Sequence, residues 1–442
     1  MTHAFAFPRT ETRFLSRFIP THLYATIMLL ETPRPLRTRE PRSGFTLVEM
    51  MVSIVILVIL MTIIFQIMQL TSSAYKQTTQ GTGTMQQARV AFERMTRNLS
   101  QATLNTYYNY YYASGQTTPS RYIRQSELQF ISGYGPIAGG DFITAVAQNA
   151  KQVTHAVFFQ APLGVVSSTD ATAYGNLGGL LNACGYFVTY GPDPSRPTFL
   201  SSSGFANAPP SENRYRLMEY LQPSENLSIY TSAAPGNTGT LPGWISYGLP
   251  TNMAASAPAN VRALASNIVA LIIMPEQYSS STVGTNGQAH TQYISSAVKD
   301  GITSVSSYAY DSAYYSGATP LYSDIAAGTT LEWRTHNQLP PLIKVIMVAI
   351  DEASGARLAA TPTYSGCTSA SPPDMGNLST STAALFKDPS KLHSAGATTG
   401  DLEKLEDVLN ATPGNVTGNT VKCNFYVFQT DVIIRGAKWT AN

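Results

Sequence analysis

The longest apolar run of the chain lies near its N-terminus, between Gly44 and Leu70. From Met50 onward this run contains no proline, no glycine and no charged residue. Roughly 20 such residues suffice for one helix to cross the ~30 Å hydrocarbon core of a bilayer. Because a single segment in lipid satisfies its backbone groups only as a helix, the pattern predicts a membrane-spanning helix over residues 45–70. Glu49, at the start of the run, either has a function or reaches the lipid headgroups beside the first turn.

Residues 71–105 carry a second helical pattern of a different kind. Gly81 and Gly83 predict a helix break or an extended segment just after the apolar run. Apolar residues then recur at steps of three and four, at Met85, Ala88, Phe92, Met95, Leu99 and Ala102. Charged residues lie off this stripe, at Arg89, Glu93, Arg94 and Arg97. The spacing predicts an amphipathic helix that packs its apolar side on a sheet.

Residues 106–442 read as a sheet-rich head domain, because short apolar runs alternate there with Gly, Pro, Ser and Asn. The candidate strands are 127–132, 153–160, 184–190, 214–221, 267–274, 342–350 and 423–435. The stretches between them that read as surface insertions are 200–212, 231–260, 279–320 and 360–400. A short helix is predicted at 401–410. The expected fold class is α+β, with a long N-terminal helix packed on a mainly antiparallel sheet that has large loop insertions.

A cluster of tyrosines opens the head domain, at Tyr107, Tyr108, Tyr110, Tyr111 and Tyr112. Tyrosine rings in this number can stack on sugars or bind partner proteins. The commoner alternative is a connecting strand with one side packed and the other side wet. Both interpretations stay open at the level of the sequence.

Charge separates the first 44 residues from the rest of the chain. Residues 1–44 contain seven Arg, no Lys and three Glu, which leaves 21 basic and 23 acidic residues in the remainder. A basic segment before an apolar helix is expected to stay in the cytoplasm by the positive-inside rule. A nucleic-acid partner would need a clustered basic face, and none is visible after residue 44.

Motifs for catalysis or metal binding are missing from the sequence. The six histidines form no HExxH pattern, and no nucleotide-binding loop or nucleophile elbow occurs. Asp311 and Asp324 could offer oxygen ligands to Ca²⁺, but their surroundings lack the spacing of an EF-hand. We therefore expect no enzyme activity, no cofactor and no metal site.

Three cysteines, Cys184, Cys367 and Cys423, are too widely spaced for a zinc motif. In an oxidising compartment, one disulfide and one remaining thiol are expected. Cys367 and Cys423 are the preferred pair because both lie towards the C-terminus, although the sequence does not determine the connectivity.

The segment from Gly44 to Glu49, GFTLVE, resembles the cleavage and methylation site of type IV prepilins. That family comprises pilins, minor pilins and the pseudopilins of type II secretion. The resemblance implies that a prepilin peptidase cuts between Gly44 and Phe45 and then N-methylates Phe45. It also implies that Glu49 pairs with the N-terminal amine of a neighbouring subunit. Such a pair is physically sensible, because each buried charge offsets the desolvation cost of the other.

The same resemblance implies a life cycle and a set of partners. Residues 1–44 would be a leader, starting at Met1 or at Met28. The mature chain would cross the inner membrane once, through residues 45–70, and hold its head in the periplasm or outside the cell. Besides the peptidase, the expected partners are other pilin or pseudopilin subunits, the inner-membrane assembly platform and membrane lipid.

Two further stretches resemble a narrower group within this family. QQARVAFERMTRNLSQA, and the Leu331-Glu332-Trp333 and Leu339-Pro340-Pro341 turn before a late strand, are similar to minor pilins of the PilW type and to J-type pseudopilins. The long insertions and the many tyrosines are similar to the Verru_Chthon cassette protein C family. The machine served stays open between a pilus, type II secretion and a lineage-specific system. The alternative function is a membrane-anchored or filament-tip adhesin that uses tyrosine-rich loops.

Overall fold

The computed structural model describes the residues 44–112, 115–134, 151–167, 170–191, 193, 197, 213–230, 243–248, 260–283, 289–293, 308, 310–313, 336–360, 385–394, 398–410 and 422–438. The described chain forms two compact units, one that ends at Met68 and one that begins at Gln69. Each unit is described by itself below.

The first helix, α1, runs from Leu47 to Ser100. Its part from Leu47 to Tyr75 is long and apolar enough to cross a membrane, and its side chains are exposed in the described part of the structure. This confirms the predicted N-terminal apolar helix. Isolated in water such a surface would be unfavourable, so lipid or neighbouring helices are its natural surroundings.

The expected break at Gly81 and Gly83 is wrong, because α1 continues through both residues. Each glycine costs a helix about 1 kcal/mol relative to alanine. That cost is small beside the packing of the following turns, where Ala88, Phe92 and Met95 are buried. The helix ends at Ser100, five residues before the end that the sequence suggested.

The second unit contains three sheets, and every described ladder in them is antiparallel. The strands are β1 Tyr107–Tyr111, β2 Arg121–Gln125, β3 Ile131–Tyr134, β4 Lys151–Pro162, β5 Leu181–Gly191, β6 Arg214–Gln222, β7 Val261–Ser266, β8 Ile268–Val283, β9 Ala289–Tyr293, β10 Tyr310–Asp311, β11 Leu342–Ile350 and β12 Phe425–Ile433. Their order is β1-β2 in the first sheet, β10-β3-β4-β5-β6-β7 in the second and β12-β11-β8-β9 in the third. This confirms the α+β class and the mainly antiparallel head.

Successive side chains of the six-stranded sheet point to opposite sides and belong to two separate apolar cores. In β4, Val157 and Phe159 join the larger core, which also contains the buried stripe of α1. Ala156 and Phe158 point to the opposite side and join a smaller core. The period of two follows from the pleat of a strand, whose successive side chains face opposite sides.

The short helices of the head are α2 Ala171–Tyr174, α3 Gly243–Gly248, α4 Glu352–Ala360 and α5 Asp401–Leu409. The last of them confirms the helix predicted at 401–410. Leu358 of α4 and Leu405 of α5 belong to the same core as the two central strands of the four-stranded sheet. Those strands, β8 over 268–274 and β11, are buried on both sides, which explains their nearly continuous apolar sequence.

A bulge in β4 connects the two larger sheets. Its side chains form hydrogen bonds with backbone groups in the first half of β8, where β9 does not pair with that strand. Thr154, at a φ of 58°, accepts a hydrogen bond from the Leu271 N–H on its Oγ1 at 3.0 Å. The Nδ1 of His155 accepts the Ile273 N–H at 2.9 Å, and its Nε2 lies 2.8 Å from the Phe386 carbonyl oxygen. His155 is therefore neutral with its proton on Nε2, from which it donates to that oxygen.

Acid is expected to destabilise the head through His155. Burial lowers the pKa of this imidazole to about 4, and burial beside Arg124 lowers the pKa of His336 to about 4 as well. An unfolded chain binds these protons near pH 6.5, so the stabilisation is complete above that pH and is lost as the pH falls towards 4. For His155 alone the loss approaches roughly 3 kcal/mol.

Denaturant unfolding of the full chain in detergent, from pH 8 to pH 4, measures this effect. His155→Gln should be less stable at pH 8 and should show a shallower loss towards pH 4. Equal pH slopes for this variant and the wild type would contradict the assignment.

Several aromatic anchors lie inside stretches that the sequence presented as surface insertions. Trp244 in α3, Tyr308, Tyr310 and Phe386 are all buried in the head. The indole N–H of Trp244 donates to Gln129 Oε1 at 2.9 Å. The interpretation of these stretches as wholly exposed loops is therefore wrong at these positions, since isolated aromatic residues fasten them to the cores.

Candidate processing and assembly segment

Gly44 and Phe45 lie immediately before α1, and both are exposed. The side chain of Phe45 is 80% exposed. A Cβ atom added to Gly44 would meet nothing within 4 Å. The fold itself therefore does not require a glycine at this position, and the bond between Gly44 and Phe45 is accessible to an outside enzyme.

The N-terminus of α1 is closed by a capping box made of Thr46 and Glu49. Glu49 Oε2 accepts the Thr46 N–H at 2.9 Å and the Thr46 hydroxyl at 3.0 Å. In return, the Glu49 N–H donates to Thr46 Oγ1 at 3.3 Å. The Thr-x-x-Glu spacing is the signal that could have identified this arrangement from the sequence.

The capping box gives Glu49 a local role before any partner is considered. Its carboxylate satisfies an N–H group at the helix start and lies where the helix dipole favours negative charge. Both side-chain bonds use Oε2, and Oε1 makes no hydrogen bond with the residues that the structure describes. Pairing of Glu49 with the amine of another subunit therefore stays a proposal. The carboxylate oxygen that could accept from that amine is Oε1.

A buried carboxylate fastens the second half of α1 to the six-stranded sheet. Glu219 of β6 is fully buried, and Arg94 of α1 donates from Nε to its Oε1 at 2.8 Å. Tyr186 donates to the same oxygen at 3.0 Å, and Arg262 donates from Nε to Oε2 at 2.6 Å. Asn98 of α1 donates to the Tyr186 hydroxyl at 2.8 Å. The sequence did place Arg94 off the apolar stripe, but it offered no signal for this distant partner.

The remaining candidate residues are not gathered into one site. Cys423 is buried and Cys184 is buried, whereas Cys367 lies outside the described residues, so the Cys367–Cys423 disulfide stays a prediction. Burial raises the pKa of the Cys184 thiol to about 12, which makes it unreactive.

Asp311 uses its carboxylate within the fold. Its Oδ1 accepts Gln129 Nε2 at 2.7 Å and the Ala313 N–H at 2.9 Å. Asp324 lies outside the described residues. Among the parts of the chain that the structure describes, no group of three or more His, Cys, Asp or Glu residues is placed to hold a metal ion.

The structure describes only the second half of the segment that leads into β11. Leu331, Glu332 and Trp333 lie outside the described residues. Pro340 and Pro341 directly precede β11, and the Pro341 carbonyl accepts the Ile434 N–H at 3.2 Å. Proline fits the start of a strand. Its missing N–H cannot return the bond to the Ile434 carbonyl, which instead accepts the Ala437 N–H at 3.2 Å.

The tyrosine cluster lies on β1, which pairs with β2 in a two-stranded ribbon separate from the two larger sheets. Tyr108 and Tyr122 are 69% and 61% exposed, and the ring centroids of Tyr110 and Tyr122 lie 5.1 Å apart. The expectation of one packed side is wrong, because nearly all of β1 is exposed. The base of the ribbon is held by Asn337, whose Nδ2 donates to the Arg124 carbonyl at 2.9 Å.

Comparison with known proteins gives one match, at the N-terminal segment. Residues 41–65 match the family model described as the prokaryotic N-terminal methylation motif. Searches of curated proteins and of solved structures give no match to the chain. With the apolar helix over Leu47–Tyr75 and the antiparallel sheets that follow it, the methylation motif supports a type IV pilin-like protein.

Proposed function

We propose that this chain is the precursor of a pilin or pseudopilin subunit that assembles through its N-terminal helix. The observation that carries the proposal is the coincidence of the methylation motif with an exposed Gly44–Phe45 bond at the start of an apolar helix. A prepilin peptidase removes residues 1–44 and methylates the new amine of Phe45. Residues 45–70 then anchor the mature chain and serve as its assembly helix.

The steps of the mechanism follow from the environment of each segment. The basic leader stays in the cytoplasm, so the head, residues 106–442, faces the periplasm or the outside of the cell. The helix continues into the head as far as Ser100, and Arg94 fastens it there to Glu219. In a filament, apolar helices pack against each other, and the free oxygen of Glu49 receives the ammonium of Phe45 from a neighbouring subunit. The assembly platform moves the subunit out of the lipid.

Within this family, we place the chain with the large minor pilins of the PilW type and the J-type pseudopilins. Supporting this placement are the helix over QQARVAFERMTRNLSQA and the two prolines that enter β11. The Verru_Chthon cassette protein C family is the corresponding lineage-specific relative. All three assignments share the same assembly helix and differ in the machine that uses it.

The proposal is tested by the location of the wild-type chain in cells that express their filament system. We expect the mature chain in sheared filaments or in a purified pseudopilus fraction, at low abundance beside a major subunit. Retention of all of the chain in the membrane, under conditions in which the major subunit assembles, would contradict the proposal.

A second candidate function is an adhesin, which the exposed tyrosine ribbon favours. Tyr108, Tyr110 and Tyr122 lie on the same side of the ribbon, since Tyr110 is directly opposite Tyr122 and Tyr108 is two residues along. A row of exposed aromatic rings without a carboxylate among them suits the apolar faces of neutral sugars. The head would carry this surface on the same membrane helix.

The adhesin candidate predicts a loss of sugar binding without a loss of fold. The triple variant Tyr108→Ala, Tyr110→Ala, Tyr122→Ala should bind an immobilised neutral β-glucan at least about 10-fold and up to about 2,000-fold more weakly, from roughly 0.5–1.5 kcal/mol per ring. The matched triple phenylalanine variant keeps the rings and should bind within a few-fold of the wild type. Equal retention of the wild type and the alanine variant on the glucan would remove this candidate.

A further inference from the structure

β12 is the outer strand of the four-stranded sheet. It pairs with β11 along its whole length, from Phe425 opposite Ile350 to Ile433 opposite Leu342. No other strand in the described part of the chain pairs with its second edge. An unpaired strand edge is a template for pairing with another chain, and natural proteins usually protect it.

The register shows which backbone groups face this open edge. Ile434 N–H donates to Pro341 at 3.2 Å, and Asp351 N–H donates to Asn424 at 3.0 Å, so even-numbered residues of this strand bond with β11. Bonded and non-bonded pairs alternate along an antiparallel ladder. The N–H and C=O groups that point away from β11 therefore belong to Phe425, Val427, Gln429, Asp431 and Ile433.

Four of these five side chains are also exposed, whereas Phe425 is partly buried against the larger core. Ile433 is 61% exposed and Val427 is 36% exposed, while Gln429 and Asp431 are exposed as well. On the opposite side of β12, Phe428 lies against Phe92 of α1, with ring centroids 5.8 Å apart. Among the described residues, β12 is thus held by α1 on one side and by β11 along one edge, and its other side is exposed from Val427 to Ile433.

Of the usual protections of a strand edge, β12 carries only one charged side chain, Asp431. The strand, FYVFQTDVI, contains no proline and no lysine, and its pairing with β11 has no bulge. The opposite edge strand of the sheet is β9, which pairs only with the second half of β8. Over the first half of β8, Thr154 and His155 accept the N–H groups of Leu271 and Ile273. Buried side chains therefore close this part of β8, whereas no strand in the described part of the chain covers the outer edge of β12.

We propose that β12 pairs antiparallel with β12 of a second copy of this chain, about a two-fold axis at Gln429. This register makes all five outward residues hydrogen-bonded partners, so every N–H and C=O group on the open edge is satisfied. Phe425 lies opposite the partner's Ile433, and Val427 lies opposite the partner's Asp431. The two four-stranded sheets become one sheet of eight strands.

Charge and membrane anchoring favour a second copy as the occupant. In the two-fold register, Asp431 never faces another carboxylate, so the like-charge repulsion that opposes strand pairing is avoided. The apolar helix over Leu47–Tyr75 confines copies to one membrane surface, which raises their effective concentration. The pairing concerns the head alone and does not depend on filament assembly.

Cysteine cross-linking of the full chain in membranes tests this register. In the proposed pairing, the Cα atoms of the two Gln429 residues lie about 5.5 Å apart, within the range that a disulfide spans. Gln429→Cys should therefore form a dimer on mild oxidation. Val427→Cys or Asp431→Cys alone should not, because the like positions are offset by roughly 13 Å along the strands. A mixture of the Val427→Cys and Asp431→Cys chains should cross-link again.

A backbone variant separates strand pairing from side-chain contact. Gln429→Pro removes an N–H that points outward, so the ladder with β11 keeps its bonds. We expect its dimer in detergent to dissociate at a concentration at least about tenfold higher than that of the wild type, since the symmetric dimer loses the bond twice. Gln429→Ala keeps the N–H and should dimerise like the wild type.

Three outcomes would overturn the proposal. The first is an absence of cross-linking at position 429 in the full chain, with the wild-type chain as the background control. The second is equal cross-linking at all three positions, which would indicate random collision. The third is an adduct of Gln429→Cys with a different protein in place of a second copy, which would make the edge a site for another partner.

Discussion

Glu49→Ala is expected to enter the membrane and to be cleaved like the wild type, yet to be missing from assembled filaments. Membrane insertion needs only apolar surface, and the removal of a carboxylate from the apolar segment favours it. In the proposed assembly, this variant would leave the ammonium of a neighbouring subunit buried without its partner. Loss of one member of a buried ion pair is expected to reduce incorporation on the order of a hundredfold or more. Quantitative immunoblots of membrane and sheared-filament fractions measure the ratio.

Glu49→Gln is the control that separates the charge from the capping box. Glutamine at this position can still accept the Thr46 N–H, so the start of α1 is kept. If pairing with an amine is the reason for Glu49, the glutamine variant should be lost from filaments as fully as the alanine variant. Normal incorporation of Glu49→Gln would instead assign Glu49 to helix capping alone.

Gly44→Val is expected to block processing almost completely. A peptidase must bind the chain in extended form around the Gly44–Phe45 bond, and a branched side chain beside that bond hinders its approach. The substitution should leave the fold unchanged, because a Cβ atom at Gly44 meets nothing within 4 Å. Full-length precursor should accumulate in the membrane, which gel mobility and intact-mass spectrometry detect.

The control for Gly44→Val is a substitution at the preceding residue, Ser43. Ser43→Ala changes the preceding residue without adding a branched side chain and should be processed at the wild-type rate. N-methylated Phe45 at the wild-type level in the Gly44→Val chain would show that this glycine is not required by the enzyme.

Local sequence patterns were sufficient to predict those helices and strands that are specified by the periodicity of their own residues. The run LIKVIMVAI predicted β11 with its observed bounds, and the leucines after Asp401 predicted α5. The apolar stripe of α1 was also predictable, since Ala88, Phe92, Met95 and Leu99 are buried as their spacing required. In each case one periodicity is enough, because burial on one side and regular backbone bonding specify the element.

The features that the sequence did not reveal depend on partners far along the chain. Nothing near Thr154 and His155 indicates that they bond to β8, more than 110 residues later. Buried Glu219 likewise depends on Arg94, 125 residues before it. The sequence left the exposure of the tyrosine ribbon undecided, because a strand has one packed side only where a second layer is present.

The sequence proposed the residues of the candidate site but did not reveal their geometry. GFTLVE identified Gly44, Phe45 and Glu49 as residues to be tested. The bonds between Thr46 and Glu49 were overlooked, although the Thr-x-x-Glu spacing carries that information. The capping box shows how one acidic residue can serve the local fold and still keep an oxygen for a partner.

The central claim is that the mature chain begins at Phe45 with a methylated amine. Mass spectrometry of the N-terminal peptide, from wild-type chain purified out of membranes of its own cells, tests this most directly. We expect an N-methyl-Phe45 peptide in cells that contain the prepilin peptidase and an uncleaved leader in cells that lack it. A chain that keeps residues before Phe45 in the presence of active peptidase would contradict the account.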